Sequence, residues 1–138
     1  MDGSDSPLSV TALMTRLGQL FMADRLEEAT RFWIFPCPVE VAGELTVMPD
    51  ARALEGFFRR RRELAREMGL LDMTPHVIAV EVPRDGRFRA WLRWRYAFAD
   101  RTEEDSHASV YFMVRKRSGA LAIEMMDIVR VPAELSPA

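Results

Sequence analysis

The sequence predicts an α+β domain in which three N-terminal helices cover a curved antiparallel sheet of four to six strands. Two observations lead to that class. Apolar residues recur at helical spacing up to Gly69, and beyond it the period drops from 3.6 to 2 in segments joined by short turns.

From Leu8 to about Ala23, the residues Val10, Leu13, Met14, Leu17, Leu20 and Phe21 fall three and four apart, which places them on one face of a first helix. Asp24 followed by Glu27 resembles a capping box, so a short second helix is expected to run to about Trp33. Pro36-Cys37-Pro38 cannot continue a helix, because proline lacks an N–H and drives the preceding residue toward extended backbone. Val39, Val41, Leu45 and Val47 alternate around Ala42-Gly43 as two short strands, with the prolines marking the first as an edge. Asp50 is the expected N-cap of a third helix, apolar along Leu54, Phe57, Phe58, Leu64, Ala65 and Met68, which Gly69 stops. Segments 74–82, 87–99, 107–116 and 121–131 then read as an antiparallel meander, joined by Arg84-Asp85-Gly86, an acidic loop at 100–105 and Ser118-Gly119.

The chain has 138 residues, 49% of them hydrophobic and 29% charged, which suits one globular domain and exceeds what a disordered chain carries. We place the domain at 8–131, with flexible tails at 1–7 and 132–138. A net charge of −2 gives no broad positive field, so nucleic acid is not an expected partner. No apolar run reaches the roughly 18 residues of a membrane span, so no membrane partner is expected. The single cysteine, Cys37, and the absence of a signal-like N-terminus point to the cytoplasm.

Strand register follows from the turns, because a slip of one residue reverses every side chain. With Asp85-Gly86 and Ser118-Gly119 as two-residue turns, one face carries Val77, Ala79, Leu92, Trp94, Tyr96, Ser109, Tyr111, Met113, Glu124, Met126 and Ile128. The other carries Ile78, Val80, Trp91, Arg93, Arg95, Val110, Phe112, Val114, Ile123, Met125 and Asp127. Both faces are substantially apolar and the helices cover only one, so the second is expected to join a homodimer, with Arg93 and Arg95 pairing carboxylates such as Asp127.

Met22-Ala23-Asp24-Arg25-Leu26-Glu27-Glu28-Ala29 resembles the A-x-D-L-D-A helix-to-helix step of the nuclear transport factor 2-like superfamily. Ala51-Arg52-Ala53-Leu54-Glu55-Gly56-Phe57-Phe58 is similar to that superfamily's G-x-x-A-I-x-x-F-F helix. The order of elements matches too, over nearly all of 8–131. The superfamily includes SnoaL-like polyketide cyclases and ketosteroid-isomerase-like proteins. The resemblance implies a cone-shaped, commonly dimeric fold with a pocket between helices and concave sheet, but it specifies no activity. The isomerases' general-base aspartate sits in an E-D-P setting. Here Val39-Glu40-Val41 stands in its place, leaving Glu40 one residue off, while their oxyanion tyrosine would fall near Leu17 and their second acid near Tyr111.

On the concave face, Glu124, Tyr96, Tyr111 and Ser109 are polar groups among Trp94, Met113 and Met126, the composition of a small-molecule site. Phe57 lies on the covering helix, and Arg61 reaches either an anionic ligand at the pocket mouth or solvent. A carboxyl in such surroundings has its charged form disfavoured and its pKa raised toward useful acid–base chemistry. Glu124 is therefore the first candidate acid or base and Glu40 the second; the alternative is that Glu124 is solvated near a sheet end. His76 and His107 lie on different strands without metal-ligand spacing, so neither metal nor cofactor is expected. Cys37 reads as an inert thiol. Two functions stay open: a pocket that transfers a proton on a small apolar organic substrate, by isomerisation, dehydration or cyclisation, and a noncatalytic binding or assembly module of the same fold.

Overall fold

Helix α1 (Pro7–Met22) forms where the first apolar stripe predicts it, and Val10, Met14, Leu17 and Leu20 from that stripe are buried. The structure, a computed structural model, describes residues 7–129. The expected tails, Pro7 aside, and residues 130–131 of the expected domain lie outside them. Helix α2 (Leu26–Thr30) follows a sharp turn, but the capping box does not form. Asp24 has φ 61°, and its carboxylate pairs with Arg66 and Arg62 of the third helix at 2.6 and 3.5 Å. That helix, α3 (Ala51–Glu67), is capped by the Asp50 side chain, which accepts from the Ala53 N–H at 2.9 Å. Its chain ends at Gly69, whose φ of 82° is the left-handed conformation glycine adopts without steric cost.

The strands are β1 (Cys37–Val41), β2 (Glu44–Met48), β3 (Asp72–Val80), β4 (Arg87–Ala97), β5 (Thr102–Glu104), β6 (Ser109–Arg115) and β7 (Leu121–Ile128). They build one curved sheet in the order β2-β1-β7-β6-β4-β3, with β5 paired to β4. Every pair is antiparallel except β1 with β7. The edge is β2, not β1. Pairing of β1 with β7 begins at Val39, beyond the prolines, so their missing N–H groups cost that ladder nothing.

Helices α1 and α3 pack on one sheet face, where Val10, Leu54, Leu92, Met113, Ile123 and Met126 meet in the main core. The expected faces hold along β4 and β6, whose buried residues alternate with more exposed ones. They fail at two places. A bulge between Val77 and Ala79 turns Val80 toward the core and leaves Ala79 exposed. In β7, the Arg117–Gly119 loop pairs Met113 with Ile123 rather than with Glu124. A bulge at Glu124 restores the expected register from Met125 onward, so Tyr111 faces Met126. Ile123 takes the core position, and Glu124 turns to the other face.

Arg93 and Arg95 do not wait for Asp127. Both lie near Glu104, at 3.9 and 2.8 Å, on the face opposite the helices. Among the described residues, no helix is long and apolar enough to cross a membrane.

Candidate functional site

The space between α1, α3 and the inner sheet face is open, with a cavity of about 110 Å³. Met14, Leu17, Gly18 and Phe21 of α1 form one wall, and Phe58, Arg61 and Ala65 of α3 form another. Trp94 and Tyr96 of β4, Ser109 and Tyr111 of β6, and Met126 and Ile128 of β7 line the sheet side. Most of this surface is thioether, aromatic or aliphatic. The polar groups gather around Asp105.

Asp105 stands in the acidic segment read from sequence as a loop. In the structure, β5 continues the place beside β4 that β6 leaves beyond Leu92. Arg95 pairs with Glu104 and Tyr96 with Glu103, so the period of two turns Glu104 outward and Asp105 inward. The Asp105 N–H donates to the Trp94 carbonyl at 3.0 Å, and the Trp94 N–H donates back to Asp105 Oδ2 at 3.1 Å. The carboxylate thus takes a main-chain donor that a continuous ladder would have used. Its other oxygen, Oδ1, accepts the Tyr96 hydroxyl at 2.7 Å. Asp105 is 8% exposed.

Burial dominates the electrostatics. It pushes the Asp105 carboxyl above its ordinary range, with some help from Glu104, while the Tyr96 hydroxyl, the Trp94 N–H and the Arg61 charge pull the other way. Tyr96 is also pushed up, first by burial, then by the charge of Asp105 and by its hydrogen bond to it. Burial pushes the Tyr111 hydroxyl up to about 12, against the opposing pull of the Trp94 indole N–H, which donates to it at 3.2 Å, and of Arg61. Both tyrosines are therefore neutral hydroxyls at physiological pH. Arg61 donates to the Val129 carbonyl at 3.2 Å and lies over the Phe57 ring, while Ser109 Oγ accepts from the Val129 N–H at 3.4 Å.

The residues singled out from sequence divide cleanly. Trp94, Tyr96, Ser109, Tyr111, Met126 and Arg61 line the cavity. Met113 is fully buried in the core instead, and Phe57 packs beside the core beneath Arg61. Glu124 is a correction: the bulge turns it away, and it accepts from Arg87 at 3.2 Å on the outer face. Glu40 is the second correction, since Val39 beside it is buried and Glu40 alternates to the opposite side, outside the cavity. Cys37 is fully buried, with its thiol pushed up to about 11 by burial and then by the charge of Glu124. Asp105 was missed. Its signal was the opposite charge of Arg95 and Glu104, which sets the hairpin register and with it the direction of the next residue.

No protein-family model matches the chain, and no curated protein sequence matches it. Solved structures do. Aln2 from a Streptomyces species superposes with a TM-score of 0.68 at 20% identity, over 91% of this chain and 92% of that one. An NTF-2 like protein of unknown function from Shewanella oneidensis gives 0.68 at 7% identity, over 88% and 96%. A protein from Catenulispora acidiphila, solved in complex with S-DNPA, gives 0.64 at 12% identity, over 88% and 90%. The chain has the nuclear transport factor 2-like fold.

The raised carboxyl pKa fixes the sign of a pH effect. Unfolded Asp105 loses its proton near pH 4, before the folded protein does. Stability supplied by the protonated form is thus complete below that pH and is lost as pH rises through the folded value. Urea denaturation across pH 3–8 should show wild-type stability falling relative to Asp105→Asn over that window and then levelling. Glu81, whose pKa is lowered by a hydrogen bond from Arg89, is not among the groups acting on Asp105 and cancels in this difference.

Proposed function

We propose that the cavity binds a small, largely apolar organic molecule and that Asp105 transfers a proton on it, in an isomerisation, dehydration or cyclisation that needs no cofactor. The observation that carries this reading is a buried carboxyl held by Tyr96 and Trp94 in the wall of an otherwise apolar cavity. The ionised carboxylate takes a proton from carbon next to a carbonyl, leaving an enolate, and the carboxylic acid returns it to a different atom. A carboxyl with a raised pKa is a stronger base when ionised and remains a competent acid nearer neutral pH. The neutral hydroxyl of Tyr111, which accepts from the Trp94 indole, still has its own proton to offer a carbonyl oxygen. The Catenulispora protein of the same fold was solved in complex with S-DNPA, which supports reading this fold as one that takes a ligand.

Proton transfer is readable without the natural substrate. Phenylacetone, a single-ring ketone with acidic α-hydrogens, exchanges them slowly in D2O. The protein should accelerate that exchange, followed by proton NMR, and Asp105→Asn should lose roughly 10²–10⁴-fold of the acceleration. Binding of the ketone without faster exchange favours the noncatalytic binding module instead.

We also propose a homodimer through the outer sheet face. Trp91, Val110, Phe112, Val114 and Met125 are partly exposed there, and Ile78 is 48% exposed. Charges of both signs border this patch, with Arg93 and Arg95 on β4 beside Glu104, and Glu40 and Asp127 on β1 and β7. A two-fold arrangement of two such faces can bring unlike charges together around an apolar centre. Sedimentation equilibrium at micromolar concentration should give a dimer for the wild type and a monomer for Phe112→Asp; a wild-type monomer rules the proposal out.

A further inference from the structure

We infer that Trp94 sets the size limit of the cavity and restricts its ligand to a single-ring molecule or one of similar bulk. The inference rests on reading the cavity as a ligand site and adds the size class of what enters it.

A buried apolar cavity of about 150 Å³ holds one benzene ring, and the space here is about 110 Å³. A one-ring ligand fills it with part of its length toward the opening; a fused two-ring ligand needs the wall to move. Much of that wall can move. Met14, Met68, Met73 and Met126 are unbranched, and their thioethers repack around differently shaped ligands.

Trp94 cannot move in the same way, because it is held from three directions. Its backbone N–H and carbonyl are both bonded to Asp105. Its indole N–H is bonded to the Tyr111 hydroxyl on the neighbouring strand. Its ring edge lies against α1 at Gly18, where an added Cβ would come within 3.2 Å of Trp94 Cζ3 and 3.2 Å of the Met73 carbonyl oxygen. Helix α1 therefore approaches the indole so closely that even a Cβ at Gly18 makes the ring edge or the Met73 carbonyl give by a few tenths of an ångström. To swing aside, the ring would have to break the Tyr111 bond or lift the helix. It acts as a rigid stop in a flexible wall.

Two substitutions change this stop in opposite senses. Trp94→Phe shortens the ring and removes its bond to Tyr111, while keeping an aromatic residue and the backbone bonds to Asp105. Gly18→Ala keeps Trp94 and presses its Cβ on the ring edge and on the Met73 carbonyl; of the two, the side chain yields more readily than the backbone, by a few tenths of an ångström toward the remaining space.

The test uses benzyl alcohol and 2-naphthalenemethanol, which share a polar group and differ by one fused ring, with dissociation constants from ligand-observed NMR on the whole protein. Without a size limit, the naphthyl compound binds more tightly, because it buries more apolar area. The wild type should instead prefer benzyl alcohol, Trp94→Phe should move the ratio toward the naphthyl compound by about tenfold or more, and Gly18→Ala should weaken benzyl alcohol severalfold. A wild type that binds the naphthyl compound more tightly, or a cooperatively melting Trp94→Phe with an unchanged ratio, overturns the inference while leaving the cavity a ligand site. If Trp94→Phe does not melt cooperatively, undiminished benzyl alcohol binding by Gly18→Ala overturns it. A wild type that binds neither alcohol overturns both the inference and the ligand-site reading beneath it.

Discussion

The site depends on a reciprocal pair of hydrogen bonds between Asp105 and the backbone of Trp94. The ladder along β4 changes partner there: β6 pairs up to Leu92, β5 takes over at Arg95, and the chain between them must satisfy the Trp94 N–H and carbonyl. Asp105 does both, one with its backbone and one with its side chain. A buried main-chain group left unpaired costs about 1–3 kcal/mol, so the arrangement is a folding requirement before it is a functional one. Its consequence is a carboxyl fixed at the cavity wall, with the Tyr96 hydroxyl holding its second oxygen.

That placement sets the electrical character of the cavity. Most of the lining is apolar, so water solvates the carboxylate poorly and its ionised form is disfavoured. Three hydrogen-bonding or charged neighbours, Tyr96, Trp94 and Arg61, moderate the shift without cancelling it. Trp94 holds Asp105 through its backbone N–H and Tyr111 through its separate indole N–H, so one residue positions both the acid and the second hydroxyl. The same indole, wedged against Gly18, is what keeps the space small.

Much of the fold was legible in the sequence because it rests on long periodic segments. The stripe Val10, Met14, Leu17 gives α1, Asp50 and Gly69 bound α3, and the alternation along 87–99 sets the inner face of β4. Six of the side chains singled out on that basis line the cavity. The losses came where local irregularity overrides periodicity. Counting from a two-residue turn places Glu124 inward, and a longer turn with a compensating bulge reverses it for part of one strand. Glu40 was suggested by resemblance rather than by register, and its neighbour Val39 holds the inward position. Asp105 was hidden in a short acidic run whose composition reads as solvated loop. Its inward direction follows from the pairing of Arg95 with Glu104, a signal of two residues that is weak beside a helix of several turns.

The account stands on Asp105 being a buried carboxyl whose proton is held more tightly than an ordinary aspartate's. Carbon-13 NMR titration of its side-chain carboxyl, assigned with Asp105→Asn, measures this directly. The account predicts a midpoint above the value of about 4 found for an exposed aspartate. A midpoint at or below that value would mean that the hydrogen bonds and Arg61 outweigh burial, and the cavity would then hold a spectator anion rather than an acid or base.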